Sequence, residues 1–146
     1  MTNYIPELDE FRSVRRWMED GQDLRALLLA QEMAADSYIQ LARSLPGAAG
    51  TTLHRLAREA RGHAACLEGI CVLVTGEAPD IRTPVPEPGP AAAVLRKCYG
   101  RAMRTLAVYE ARSRDPEYGP VFARLAHQQQ DHCRAILELL GTLGRP

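Results

Sequence analysis

Three interruptions rich in proline and glycine constrain the fold more than any other feature of the chain. They are the stretches LPGAAGT (45–51), GEAPDIRTPVPEPGP (76–90) and RDPEYGP (114–120). The segments between them carry apolar residues at three- and four-residue intervals, which is the spacing of one helix face. Apolar and polar residues alternate nowhere for long, so the sequence predicts helices and no sheet.

The predicted helices run from about Asp23, a candidate N-cap, to Ser44, from Thr51 or Thr52 to Thr75, from Pro90 to Ser113, and from just after Pro116 to Gly141. Each is about 22 to 26 residues long, or roughly 33–39 Å at the helical rise per residue. Similar lengths favour an all-α, antiparallel four-helix bundle. The proline-rich connection between the second and third helices is long enough to cross the bundle.

Residues 1–22 precede the predicted bundle (23–146) and show a weaker helical pattern. Apolar residues at Leu8, Phe11 and Val14 share one helix face, and Trp17 follows them. Two interpretations stay open for this N-terminal segment. It is either a short helix packed on the bundle or an arm that contacts a partner subunit, for example in a homodimer.

Charge and hydropathy narrow the classes of function. The 146 residues include 18 basic and 18 acidic side chains, so the formal net charge is zero. This balance argues against a nucleic-acid partner, and no apolar run approaches the roughly 20 residues of a membrane span. The start of the chain lacks the basic and then apolar pattern of a secretory signal, so we expect a cytoplasmic protein. The four cysteines form no C-x-x-C pair and are expected to be small core residues.

Three polar residues fall in the middle of predicted apolar stripes: Glu32, His63 and His132. An unpaired carboxylate in a bundle core is costly, so Glu32 needs a hydrogen-bond donor, a proton or a cation. Two imidazoles and one carboxylate from three helices would suit a single divalent ion such as iron or zinc. The alternative is a metal-free network in which Glu32 accepts a hydrogen bond from one of the histidines. The side chains that could complete this network are Tyr38, Tyr99 and Gln129.

Three stretches resemble helices of the ferritin-like superfamily, and within it the rubrerythrin-like branch. They are QEMAADSYIQLAR (31–43), EARGHAACLEGI (59–70) and PVFARLAHQQQDHCRAILELL (120–140), and the resemblance extends over about residues 23–141. It implies a bundle that holds two irons for oxidase or peroxidase chemistry. The ligands in such proteins are a Glu from helices one and three and a Glu-x-x-His pair from helices two and four.

Carried over to this chain, the resemblance makes Glu32, His63 and His132 the metal ligands, with no catalytic residue assigned. The expected glutamates three positions before the histidines are replaced by Ala60 and Gln129. A di-iron site needs several carboxylates to balance its charge, so this set predicts that the site is largely lost. We therefore expect a metal-free binding or structural module. The alternative is a protein that holds one iron or zinc ion through two His and one Glu, with redox activity.

Overall fold

The computed structural model describes residues 21–143, and in this part of the chain it contains four α-helices and no β-strand. The helices are α1 (Gly21–Ser44), α2 (Ala48–Thr75), α3 (Ala91–Arg112) and α4 (Gly119–Leu143). The predicted all-α class with four helices is therefore confirmed. Of the predicted N-terminal segment 1–22, residues 1–20 lie outside the described residues, so the choice between a short helix and an arm stays a prediction.

Two helix starts differ from the sequence prediction. Asp23 was expected at an N-cap, but α1 is already helical at Gly21. Likewise, α2 begins at Ala48 and not at Thr51 or Thr52, because Gly47 adopts a φ of 72° and turns the chain directly into the helix. The Thr51 hydroxyl then donates to the Gly47 carbonyl at 3.2 Å and does not cap a helix end.

The other helix ends follow the local chemistry of proline, glycine and aspartate. α2 stops at Gly76, which has a φ of 82° and donates its backbone N–H to the Val72 carbonyl at 2.8 Å. α3 begins directly after Pro90, where a missing N–H costs no helical hydrogen bond. Before α4, the Asp115 carboxylate accepts the backbone N–H of Tyr118 at 2.8 Å and closes the turn.

The four helices pack around one core. α1 contacts α2 and α3, and α4 contacts the same two helices. The apolar side chains at the centre are almost completely removed from water, and each contributes about 1.5–3 kcal/mol by its burial. The most buried aliphatic and aromatic residues include Leu24, Leu53, Leu56, Leu67, Leu95, Phe122 and Ile136.

The proline-rich segment 76–90 has neither helix nor strand and lies beside α1. Arg25 donates to the Asp80 carbonyl at 3.4 Å, and the Thr83 hydroxyl donates to Asp36 at 2.9 Å. These contacts hold the segment against the first helix. Within residues 21–143, no helix is both long and apolar enough to cross a membrane.

Candidate functional site

Two of the three predicted metal ligands meet in the core. His63 of α2 is 3% exposed and His132 of α4 is 1% exposed. Their imidazole rings stack in parallel, with centroids 5.5 Å apart and planes 7° apart. His54 and His127, which spacing predicts on outer faces, are both exposed. The two buried histidines therefore form the centre of a polar cluster between α2 and α4.

Glu32, the third predicted ligand, does not join this cluster. Its side chain is 30% exposed and pairs with the Arg61 guanidinium at 2.9 Å on the outer surface of α1 and α2. The expectation that Glu32 lies in the core is therefore wrong. The neighbouring Gln31, which is 2% exposed, occupies the core position. The reason is the phase of α1, since Gln31 lies seven residues from both Leu24 and Tyr38, which are also buried.

Gln31 joins the four helices through its amide nitrogen. This Nε2 lies 2.8 Å from the Tyr109 hydroxyl, 3.2 Å from Gln129 Oε1 and 3.3 Å from His63 Nδ1. A carboxamide has two N–H groups, so at most two of these three acceptors are served at one time. Gln129 in turn donates to the backbone carbonyl of Ala102 at 3.2 Å. The network is neutral and connects α1, α2, α3 and α4.

Tyr109 closes the cluster from α3. It is fully buried, and its ring meets the His63 ring edge-on, with centroids 5.8 Å apart and planes at 66°. Burial raises the pKa of the Tyr109 hydroxyl well above its usual value, although the hydrogen bond from Gln31 acts in the opposite direction. Tyr109 therefore stays protonated and is not available as an anionic ligand.

His63 is held in its neutral form. Burial is the main reason that the pKa of its imidazole is lowered to about 4, and the nearby His132 acts in the same direction, whereas Gln128 and Glu59 oppose this change. The contacts favour one tautomer, in which Nδ1 accepts from Gln31 and Nε2–H donates to Gln128 Oε1 at 2.8 Å. The Nε2 atom of His63 is thus hydrogen-bonded, whereas its Nδ1 atom competes with Tyr109 and Gln129 for the two N–H groups of Gln31.

His132 contacts the one carboxylate of the cluster. Its Nε2 lies 2.7 Å from Glu59 Oε2, and Glu59 also accepts from Arg55 at 3.1 Å. Partial burial alone would raise the pKa of Glu59, but the hydrogen bonds from His132 and Arg55 outweigh it and lower the pKa. Burial lowers the pKa of His132, and the contact with Glu59 offsets part of that effect. Glu59 is therefore ionised beside a mainly neutral imidazole.

The cluster opens to solvent through one cleft between α2 and α4. This cleft has a volume of about 490 Å³, and Glu59, His63, Cys66, Arg124 and Gln128 line it. His63 lies at the wall of the cleft, and the exposed Gln128 side chain is hydrogen-bonded to its Nε2. A solute that binds His63 Nε2 would have to displace this side chain.

Three residues of the cluster were not among the ligands predicted from the sequence: Gln31, Glu59 and Tyr109. The seven-residue spacing from Leu24 through Gln31 was a usable signal. Tyr109 falls at the edge of the predicted α3 stripe, one helical turn beyond Leu106. By contrast, the contact of Glu59 with His132 joins residues 73 positions apart, and no local pattern predicts it.

The donor set of the cluster does not fit a di-iron centre. Among the residues described, no group of three or more His, Cys, Asp and Glu side chains is arranged to hold a metal ion. Glu59 is the carboxylate that contacts His132, whereas the side chains that contact His63 from α1 and α4 are the amides of Gln31 and Gln128. Two irons carry at least four positive charges, which one carboxylate cannot balance.

No family model, no curated protein and no solved structure matches this chain significantly.

Proposed function

We propose that the chain is a ferritin-like antiparallel bundle in which a metal-free hydrogen-bonded core occupies the place of a di-iron centre. The protein then works as a binding or structural module through its surface. The observation that carries the proposal is the neutral network around Gln31 and Gln129. Both amides are buried and hydrogen-bonded, and the resemblance to metal-binding bundles predicts carboxylates at or next to these positions.

Contacts along α2 and α4 support the antiparallel order. Glu59 meets His132, whereas His63, further along α2, meets Gln128, which comes earlier in α4. Such a register is expected when two neighbouring helices run in opposite directions. The same register is expected in a bundle whose second and fourth helices carry the two histidine positions of the family.

Contacts along α1 and α3 support the long crossover. Asp23 near the start of α1 pairs with Arg112 at the end of α3 at 3.0 Å, so these neighbours also run in opposite directions. α2 and α3 lie diagonally, since both contact α1 and α4. The segment 76–90 passes along α1 through Thr83 and Asp36. A ferritin-like connection makes this kind of return between the second and third helices.

The hydrogen bonds of the cluster also support a metal-free core. A metal ligand must offer a free lone pair, whereas the contact with Gln128 favours a proton on His63 Nε2, and Nδ1 faces the amide of Gln31 at 3.3 Å. A cation that entered the cluster would break hydrogen bonds that its buried polar groups already make. The neutral amides would also balance less of the charge of the cation than carboxylates would. The network is therefore stable without a cation.

A single iron or zinc ion is the second candidate, and one observation favours it. His132 Nε2 lies 2.7 Å from Glu59 Oε2, beside the stacked ring of His63, so two imidazoles and one carboxylate meet at one cleft. In this alternative Glu59 takes the role first expected of Glu32. The ion would have to displace Gln128 from His63 Nε2, which the metal-free proposal does not require.

Metal content separates the two candidates. Protein purified without chelator should contain far less than one metal per chain, and Zn²⁺ or anaerobic Fe²⁺ should leave its melting temperature unchanged. An ion bound at 1,000 times its dissociation constant would instead stabilise the fold by about 4 kcal/mol. One ion per chain that is lost in His132→Ala and kept in His127→Ala would contradict the proposal and establish the mononuclear site. His127 is the matched control because it is exposed on the same helix.

The double variant Gln31→Glu/Gln129→Glu is the positive control for the same metal titration. It places one carboxylate beside His63 at position 31 and a second one next to it at position 129. Together with the histidine, this set has the charge and donor atoms that a divalent ion requires. We expect this variant to take up Zn²⁺ and to gain stability with it. A folded variant that ignores Zn²⁺ would count against the ferritin-like arrangement of these four positions.

A further inference from the structure

A second concave site lies away from the histidines, between α1, α3 and the proline-rich segment. It is a groove of about 430 Å³. Its floor is the seam between α1 and α3, and residues 84–90 form one wall. The histidine cleft, by contrast, lies on the seam between α2 and α4. The two sites share no lining residue.

Arg101 of α3 lines this groove and carries an unsatisfied donor. Its Nη1 atom is buried, yet it has no hydrogen-bond partner among the described residues. A guanidinium keeps its charge at all ordinary pH values. Leaving one of its N–H groups buried and unpaired costs more than a typical hydrogen bond contributes, so such a group calls for a partner. The natural partner is an anion, because no acceptor among residues 21–143 reaches this Nη1 atom.

The rest of the groove combines positive charge with an apolar wall. Lys97 lies one turn before Arg101, and its ammonium is 3.7 Å from Glu87, the acidic residue of the lining. Both of those side chains are highly exposed, so their pairing is weak. Met33 and Val94 contribute apolar surface. The lining therefore carries one more positive than negative charge, beside surface that favours hydrocarbon.

The start of α3 adds backbone donors to the same groove. Pro90 caps this helix without a side-chain hydrogen bond, and its first turn contains no acidic residue. Pro90, Ala93 and Val94 line the groove. The free N–H groups of a helix start carry partial positive charge. This end of the groove therefore adds to the positive potential that Arg101 and Lys97 produce.

We propose that this groove binds an organic anion that has a carboxylate head and a short unbranched hydrocarbon body. The planar guanidinium of Arg101 matches a carboxylate through two parallel hydrogen bonds. The hydrocarbon body packs against Met33, Val85 and Val94. The inference deepens the proposed function, on which it rests, because it gives the binding module a site and a class of ligand.

Sodium octanoate is a suitable probe, titrated into the ¹⁵N-labelled full chain. We expect the backbone amide signals of residues 33–37 and 97–101, and those of the non-proline residues Val85, Glu87 and Gly89, to move together and to saturate. Loss of the charge-assisted bond in Arg101→Gln should weaken octanoate binding about tenfold or more. Arg104→Gln is the matched control, since Arg104 is exposed on the same helix and does not line this groove. Octan-1-ol, which has the same body without the charge, should bind more weakly than octanoate.

Three results would each overturn the inference: no response to octanoate, equal binding by the wild type and Arg101→Gln, or equal binding of octanoate and octan-1-ol. The absence of any response to octanoate would mean that the groove holds only water. A second variant, Val94→Glu, repels the anion without touching Arg101 and should also abolish binding. Metal uptake is measured at His63 and His132 without octanoate, so failure of this inference is distinct from failure of the metal-free proposal.

Discussion

Replacing Gln31 with leucine should lower the free energy of unfolding by about 2 kcal/mol or more. Leucine has nearly the same volume, so the main change is the loss of an amide that is 2% exposed. Its removal withdraws the hydrogen bonds to Tyr109 and Gln129 and the contact with His63. These partners stay buried, and a buried polar group without its partner costs most of its hydration free energy.

Urea unfolding at neutral pH measures this effect, and the adjacent residue supplies the control. Glu32→Gln removes only the ion pair with Arg61, in which both side chains are partly exposed. Pairs of this kind contribute at most about 1 kcal/mol. If Glu32→Gln destabilised the fold more than Gln31→Leu, then Glu32 would be the core residue, as the sequence first suggested. Equal unfolding slopes in the two variants would show that both retain the native compactness.

The helices could be predicted because their boundaries depend on local chemistry. Segment 76–90 carries prolines that cannot continue a helix, and the structure has no helix there. The start of α2 was misplaced for a local reason too. Gly47 permits a positive φ that threonine does not, so the helix begins before the two residues that look like better caps. When two neighbouring residues could each begin a helix, the predicted boundary can be wrong by a few residues while the predicted fold stays the same.

The candidate site was predicted only in part, and the phase of α1 explains why. His63 and His132 each have unambiguous apolar neighbours three and four residues away, so their burial follows from periodicity. In α1, the doublets Leu27–Leu28 and Ala34–Ala35 allow the centre of the stripe to fall on either Gln31 or Glu32. The sequence prediction chose Glu32 because glutamate is a common metal ligand. The packing of α1 against its neighbours instead places the neutral amide of Gln31 in the core.

Lowering the pH from about 6.5 to 4 should destabilise the fold by about 3 kcal/mol through His63 alone. The imidazole is nearly inaccessible to water, and burial lowers its pKa from the ordinary 6.5 to about 4. Between these two values the unfolded chain binds a proton that the folded chain does not bind. The contribution of the neutral His63 to the free energy of unfolding is therefore fully present above about pH 6.5. It is lost as the pH falls toward 4, by up to about 1.4 kcal/mol per pH unit.

The groups that face His63 act in the same direction. Burial also lowers the pKa of His132, and the lowered pKa of Glu59 gives stability that is lost as the pH falls through its folded value. Tyr109, on the remaining side, stays neutral throughout this range. Urea midpoints at about pH 6.5 and 4 would measure the loss, and the ring signals of His63 would report its pKa directly. His54→Gln, which removes an exposed histidine from α2, should retain the loss. A stability that stays constant over this range, or a His63 ring that titrates near 6.5, would mean that water reaches the core through the cleft at Gln128.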